Sequence, residues 1–356
     1  MHFDKGGIPE GYAGYISRKW WFLCLVSVML VCLAIMGISL GAVKISLLEV
    51  VEALFRMPVS GRVNMIVYHI RLPQVLAAMI TGAGLAASGA VLQSILRNPL
   101  GSPFTLGISH AAAFGAALSV MVLGSGIMGS SLNDAVNISN PALTTGCAFV
   151  FAMGAAWIII TISGYQKSSP ETMVLTGVAL GSLFTAGTML LQFFADDVQL
   201  AAMVFWTFGD VARADYKELG IISAVTLPGI VYFMLNAWNY NAMDAGDDTA
   251  KGIGVHVVRT RLLGMTVASV LISVSIAFVG IIGFVGLVAP HMVRRLIGDD
   301  NRFLIPGTAA AGACLLLLSD TAARLVLSPH ILPVSVLTSF LGAPVFIAMI
   351  MRGKKG

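Results

Sequence analysis

The sequence predicts an all-α polytopic membrane protein of about ten transmembrane helices, and three observations lead there. Only 11% of its 356 residues are charged and 57% are hydrophobic, whereas soluble domains carry roughly 25% charged residues. Apolar runs of about twenty residues recur from end to end, the length that an α-helix needs to cross hydrocarbon. Lipid admits only helices and closed barrels, and runs of this length favour the helical bundle. Lysine and arginine are also divided unequally between the two sides that such a chain would define.

The spans fall at about 20–42, 71–95, 103–124, 142–164, 172–194, 218–238, 260–282, 284–298, 303–327 and 333–351. Arg18 and Lys19 precede the first. That run exceeds a signal-peptide core and lacks a small-x-small cleavage site, so it reads as a retained span. The eighth is short and is expected to tilt into protein or break near Pro290. With the N-terminus inside, an even count returns the C-terminus to the cytoplasm, as in a multi-pass protein of the cell membrane. Lys44, Arg56, Arg62, Arg71, Arg213, Lys217 and Arg324 then fall outside, and the other 14 of the 21 basic residues fall inside. That bias supports the orientation. Spans 2–5 and 7–10 read as halves of an inverted repeat, because a five-span offset reverses direction. No low-complexity linker interrupts residues 1–356, which read as one domain. Cys24, Cys32, Cys147 and Cys314 lie within apolar runs without CxxC spacing and read as small buried residues.

One stretch departs from the pattern. Ala242–Arg261 (AMDAGDDTAKGIGVHVVRTR), between spans 6 and 7, holds Asp244, Asp247, Asp248, Lys251, Arg259 and Arg261. Asp247 or Asp248 is placed to cap a short helix, Gly252 and Gly254 to end it, and Val255–Arg261 to begin the next. A compact, charged, helical element on the cytoplasmic side suits docking by a water-soluble partner.

Other motifs read more plainly. Thr81–Ala90 (TGAGLAASGA) looks like a nucleotide loop, yet it lies in an apolar span with Gly82, Ala86 and Ala90 on one face, which predicts close helix packing. Gly177–Gly181 (GVALG) reads the same way. GxxxxGK[ST] does not occur, so the chain is not expected to bind ATP through a Walker loop, and nothing in it points to nucleic acid. The pairs Asp196-Asp197, Asp247-Asp248 and Asp299-Asp300 lack a DDxxD continuation and fall on both sides, which argues against a magnesium-diphosphate enzyme. The six histidines show no HxxxH or HExxH spacing, and no metal site is expected. Ionisable groups within the spans are sparse, which argues against an ion-coupled secondary transporter. Span 5 carries Thr176, Ser182, Thr185, Thr188 and Gln192, and span 10 carries Ser335, Thr338 and Ser339. Such hydroxyls either satisfy backbone carbonyls or form a mildly polar wall along which a bulky solute slides.

Arg71–Pro73 (RLP), Gly89–Phe104 (GAVLQSILRNPLGSPF), Gly177–Gly181, Gly283–Arg294 (GFVGLVAPHMVR), Leu318–Arg324 (LSDTAAR), Leu332–Val334 (LPV) and Leu341–Phe346 (LGAPVF) together cover nearly the whole chain. This ordered set resembles the permease subunits of type II ABC importers, which handle iron–siderophores, haem and cobalamin. The resemblance implies ten helices per subunit, a permease dimer, two cytoplasmic ATPase subunits that use ATP and magnesium, and an extracytoplasmic binding protein. It implies that Gly246–Gly254 (GDDTAKGIG, with Asp247, Asp248, Ala250, Lys251 and Gly252) couples to the ATPase. Arg71 and Arg324 match arginines that pair with acidic residues of the binding protein, while the position of a further family arginine is occupied by Gln74. Asn98 and Leu100 match an inner gate, Ser168 and Ser169 lie where a second constriction forms, and spans 5 and 10 line the path at the dimer interface.

These readings converge on a non-enzymatic permease of a binding-protein-dependent importer that moves a metal chelate, with a ferric siderophore as the expected cargo and haem or cobalamin as the alternatives. Arg259 and Arg261 are expected to anchor span 7 at the inner surface.

Overall fold

A computed structural model describes residues 10–41, 43–124, 126–128, 136–138, 140–165, 169–327 and 330–352. Its helices are α1 (Glu10–Ser39), α2 (Leu47–Leu54), α3 (Gly61–Ile66), α4 (Leu72–Ile95), α5 (Ile108–Val122), α6 (Pro141–Tyr165), α7 (Pro170–Phe194), α8 (Asp197–Thr207), α9 (Tyr216–Leu235), α10 (Ala237–Asp244), α11 (Asp247–Gly252), α12 (Val257–Val279), α13 (Val285–Ile297), α14 (Asn301–Leu325) and α15 (Val334–Arg352). Each predicted span corresponds to one of them: α1, α4, α5, α6, α7, α9, α12, α13, α14 and α15. A short antiparallel pairing of Gly126–Met128 with Val136–Ile138 adds a hairpin that the all-α expectation did not contain.

Three boundaries depart from expectation for physical reasons. The second span begins earlier, because α3 and α4 form one continuous helix from Gly61 to Ile95. They are joined by a π-helical turn, Val67–Arg71, in which the Leu72 N–H reaches Val67 O. Pro73 follows and has no N–H to donate, so the ladder slips there by one residue. The third span begins later, at Ile108. The eighth is short but does not break at Pro290, which lies inside α13. Its shortness comes instead from the non-helical stretch 280–284 in front of it.

The bundle is layered. The apolar windows of α4, α12 and α14 are 78%, 67% and 67% buried, against 22% for α1 and 11% for α7. Packing follows the two halves that the repeat predicted. α4 packs on α14 as α12 packs on α6, α5 on α6 as α13 on α14, and α5 on α7 as α13 on α15. α4 also meets α13 as α12 meets α5, and α4 and α12 pack on each other. This is the pattern of two halves related by a twofold axis through the α4–α12 contact. It extends to detail. α5 and α13 each start from a left-handed residue, Gly107 (φ 69°) and Phe284 (φ 65°). Each of these packs on glycine of the helix two spans on, Gly177 and Gly181 of α7 or Gly342 of α15.

The glycine-rich stretch in α4 is a packing surface, as expected, but it serves three neighbours rather than one face. A Cβ at Gly82 would come within 2.5 Å of Gly312 O in α14, one at Gly84 within 2.9 Å of Thr226 in α9, and one at Gly89 would overlap the Gly286 carbonyl in α13. Without a hydrophobic force between helices in lipid, such close backbone approach supplies the contact. Gly89→Ala is therefore expected to cost more than about 3 kcal/mol, beyond ordinary overpacking, because backbone rather than a flexible side chain must move. Gly146→Ala, with open space around its position, should leave the thermal midpoint unchanged. Thermal scanning and size-exclusion profiles of the two purified variants check this pair.

Candidate functional site

The charged island folds as the short helices α10 and α11. Gly246, with φ +116°, stands at the N-cap of α11, so Asp247 and Asp248 are its first two residues and neither caps it. Their charge instead faces the positive end of the helix dipole. At the other end the Gly254 N–H reaches Lys251 O at 3.0 Å and the Val255 N–H reaches Ala250 O at 2.9 Å. This pair of bonds is a Schellman closure with Gly254 (φ +90°) as its left-handed residue. Gly252, expected to share that role, is the last helical residue and has no positive φ.

α11 has two faces. Asp248, Thr249, Lys251 and Gly252 are exposed, and Ile253 at the tip is 69% exposed. The Asp248–Lys251 pair on this face, at 3.3 Å, adds little in water. Ala250 is buried, and Asp247 turns inward to Arg261 at 2.7 Å. Arg261 is a correction: its side chain is 1% exposed and does not anchor α12 at the surface. Its Nε donates to Ile95 O, the last residue of α4, at 2.8 Å. Burial pushes the Asp247 carboxyl up, but the bond and charge of Arg261, with Arg97 and Lys251 nearby, outweigh it and hold the group below the usual carboxylate range.

A second buried network holds α10. Asp244 accepts from Asn301 Nδ2 at 2.8 Å and from Ser94 Oγ at 3.2 Å. Asn241 donates to Asp300 at 3.0 Å and accepts from the Asn301 N–H at 2.7 Å. Asp300 also pairs with Arg302 at 2.6 Å and with Lys19 of α1 at 3.4 Å. These residues bind α1, α4, α10 and α14 into one block at the end of the bundle that carries α10 and α11. The sequence reading singled out neither Asn301 nor Ser94, because polar partners so far apart in the chain leave no local pattern.

Among the residues expected at the gates, Asn98 Oδ1 accepts from the Leu100 N–H at 2.9 Å, which shapes the turn after α4, and Leu100 is 47% exposed. Pro99 O meets His291 Nε2 of α13 at 2.7 Å. Ser169 caps α7 by accepting from the Thr172 N–H at 3.4 Å, and its hydroxyl bonds to Glu171. Ser168 lies outside the described residues.

On α7 and α15 the hydroxyls turn to backbone. Ser182 donates to Val178 O at 3.0 Å, Thr185 to Gly181 O at 2.8 Å, and Thr188 to Phe184 O at 2.8 Å. Ser339 and Thr338 donate to Ser335 O at 2.7 and 3.0 Å, and Ser335 to Phe208 O at 3.0 Å. Thr338 is fully buried. Thr176, Gln192, Ser335 and Ser339 are half-buried. Ser182 and Thr185 line a groove of about 470 Å³ with Phe104, His110 and Met189.

Arg71 and Arg324 do not stand free for docking. They are 6% and 7% exposed and cap the C-terminus of α1. Arg324 donates to Gly37 O at 3.2 Å and Leu40 O at 3.1 Å, while Arg71 donates to Leu40 O and to Val43 O. Carbonyls at a helix end have no partner of their own, and in lipid they must find one. Arg324 also pairs with Asp320 at 2.9 Å, and Asp320 accepts from Gln74 at 2.9 Å. The sequence reading passed over Asp320; its i,i+4 spacing to Arg324 was the available signal. Arg56 and Arg62, by contrast, are exposed.

Removing Arg324 would take its donors from Gly37 O and Leu40 O, the latter keeping Arg71, and leave Asp320 without its cation. Breaking a buried pair from one side costs about 3–5 kcal/mol, so Arg324→Ala should lower the thermal midpoint strongly. Arg62→Ala should leave it in place, and thermal scanning of both in detergent decides.

The FecCD transport family matches residues 28–352 of the chain. A candidate ABC transporter permease protein of Methanocaldococcus jannaschii is 49% identical, covering 97% of this chain and 98% of the relative. The hemin transport system permease protein of Yersinia pestis is 34% identical over 92% of this chain and 94% of the relative. Among solved structures, a candidate metal-chelate-type ABC transporter in an inward-facing conformation superposes with a TM-score of 0.80 at 28% identity, covering 93% of this chain and 98% of that one. A bundle of this topology, with a charged two-helix element between its sixth and seventh spans, therefore has its place: the chain belongs to the FecCD transport family and is a translocation component, not an enzyme.

Proposed function

We propose that this chain is the permease of a binding-protein-dependent ABC importer whose cargo is a metal chelate, with a ferric siderophore as the first expectation. The observation that carries this reading is α11. It is short, charged and solvent-facing, ends in an exposed Ile253, and is tied from behind to α4 and α12. That is the form required of an element that enters a cleft of a cytoplasmic ATPase and returns force to the spans. Two ATPase subunits supply ATP and magnesium chemistry that this chain lacks residues for. A second copy of the chain completes the path along the exposed face of α7, and both termini lie in the cytoplasm. Haem is the second reading, favoured by the hemin permease relative.

Docking of the binding protein falls first to the outer ledge formed by α2 and α3, where Arg56 and Arg62 are exposed. Exposed charge of this kind speeds encounter without a large apolar patch. Arg71 and Arg324 lie beneath that ledge and reach a partner only by exchanging their bonds to α1 carbonyls.

In proteoliposomes holding permease, ATPase and binding protein, uptake of ferric siderophore or hemin should require ATP, stop with vanadate and ignore proton uncouplers. Uptake without the ATPase would overturn the reading. Gly254→Val should uncouple hydrolysis from uptake, because a branched residue at φ +90° strains the closure by about 1–2 kcal/mol. Gly252→Ala, helical and unobstructed, should preserve coupling. Parallel hydrolysis and uptake assays of the two variants separate these outcomes.

A further inference from the structure

The geometry points to Arg261 as a positioning residue that transmits movement of α11 to the Asn98–Leu100 loop after α4. Three helices meet at this side chain. Asp247 belongs to α11, Arg261 to the first turns of α12, and Ile95 ends α4 shortly before the Asn98–Leu100 turn. Arg261 bonds Asp247 at 2.7 Å and Ile95 O at 2.8 Å. Glu171 lies within electrostatic reach of both Arg261 and Asp247, and Arg97 within reach of Asp247.

The physical case rests on stiffness. A guanidinium holds two partners in a fixed fork, so displacing one displaces the other. Arg261 is 1% exposed, so water cannot replace either bond at low cost. Tyr240 of α10 fills the space beside Ile95, against Gly264 of α12, which leaves no slack behind the contact. The receiving loop is held in an uncommon conformation, with Arg97 at φ 46°, as in segments poised between two arrangements. The Pro99 carbonyl bond to His291 carries the same loop onto α13. A pull on Asp247 therefore arrives at the end of α4.

This inference rests on α11 being the ATPase contact, and its test has one arm inside that reading and one outside it. Inside it, Asp247→Asn leaves the Arg261–Ile95 bond in place. Its complex should co-purify with the ATPase and move about tenfold less substrate per ATP hydrolysed, within the range of typical coupling energies. Asp247→Glu should restore most of the yield. Outside it, the permease alone, free of its four native cysteines, carries spin labels at Thr249→Cys and Leu100→Cys. The distance between them should be narrowly distributed, and Asp247→Asn or Arg261→Lys should broaden it. A merely structural role would lower hydrolysis and uptake in proportion and leave the distribution narrow, which would overturn the inference. Unchanged substrate per ATP in both variants would overturn it too. Absence of ATP-driven uptake in the unsubstituted complex, with the distance response intact, would instead count against the importer reading and leave the mechanical tie standing.

Discussion

Backbone must touch backbone along α4 for the rest of the structure to form. In hydrocarbon, apolar side chains gain nothing by leaving lipid for each other, so association depends on close packing and on polar groups that find partners. α4 meets both requirements. Gly82 and Gly89 bring α14 and α13 to within backbone distance and Gly84 receives the Thr226 side chain of α9, and its two ends carry the polar clusters. A helix so enclosed cannot bend freely. It is the most buried rod among the described spans.

Charge is distributed to suit that rod. At the N-terminal end of α4 Arg71 and Arg324 cap α1, and Asp320 and Gln74 complete the set. At its C-terminal end Lys19, Asp300, Asn301 and Asp244 bind α1, α10 and α14 to the same core, with Arg261 beside them. Buried ion pairs of this kind are weak evidence for stability, because desolvation offsets much of the attraction. What they supply is register: each carboxylate has one place where its partners converge, which fixes how far neighbouring helices can slide.

The parts legible in the sequence were those with local signatures. Spans announced themselves by length, the α4 glycines by spacing, and α11 by charge between two apolar runs. The Gly107 and Phe284 helix starts and the exchange of α4–α14 for α12–α6 packing show that the repeat, faint as sequence similarity, is firm as geometry. Long-range pairings were not legible. Nothing near Arg261 foretells Ile95 O, 166 residues away, and a basic residue after an apolar run reads as a surface anchor until its partner is known. Arg71 and Arg324 are ambiguous for a related reason. An arginine at the outer end of a span looks the same whether it faces a partner protein or the last carbonyls of α1, and only the place where α1 stops decides.

The same distinction bears on how the proposed path handles its cargo. Ser182, Thr185, Thr188 and Ser339 donate their hydroxyl protons to their own helices. They therefore offer acceptor lone pairs but few free donors. A metal chelate sliding along such a wall meets weak contacts that any neighbouring hydroxyl can replace, so no position holds it strongly. Uniform weakness suits translocation, because tight binding midway would deepen a well that the next step must climb out of. It also means that the wall discriminates poorly, and selection among chelates must then be made before the cargo reaches α7. The binding protein meets the cargo at that earlier point, so ligand choice on the proposed route belongs to the binding protein.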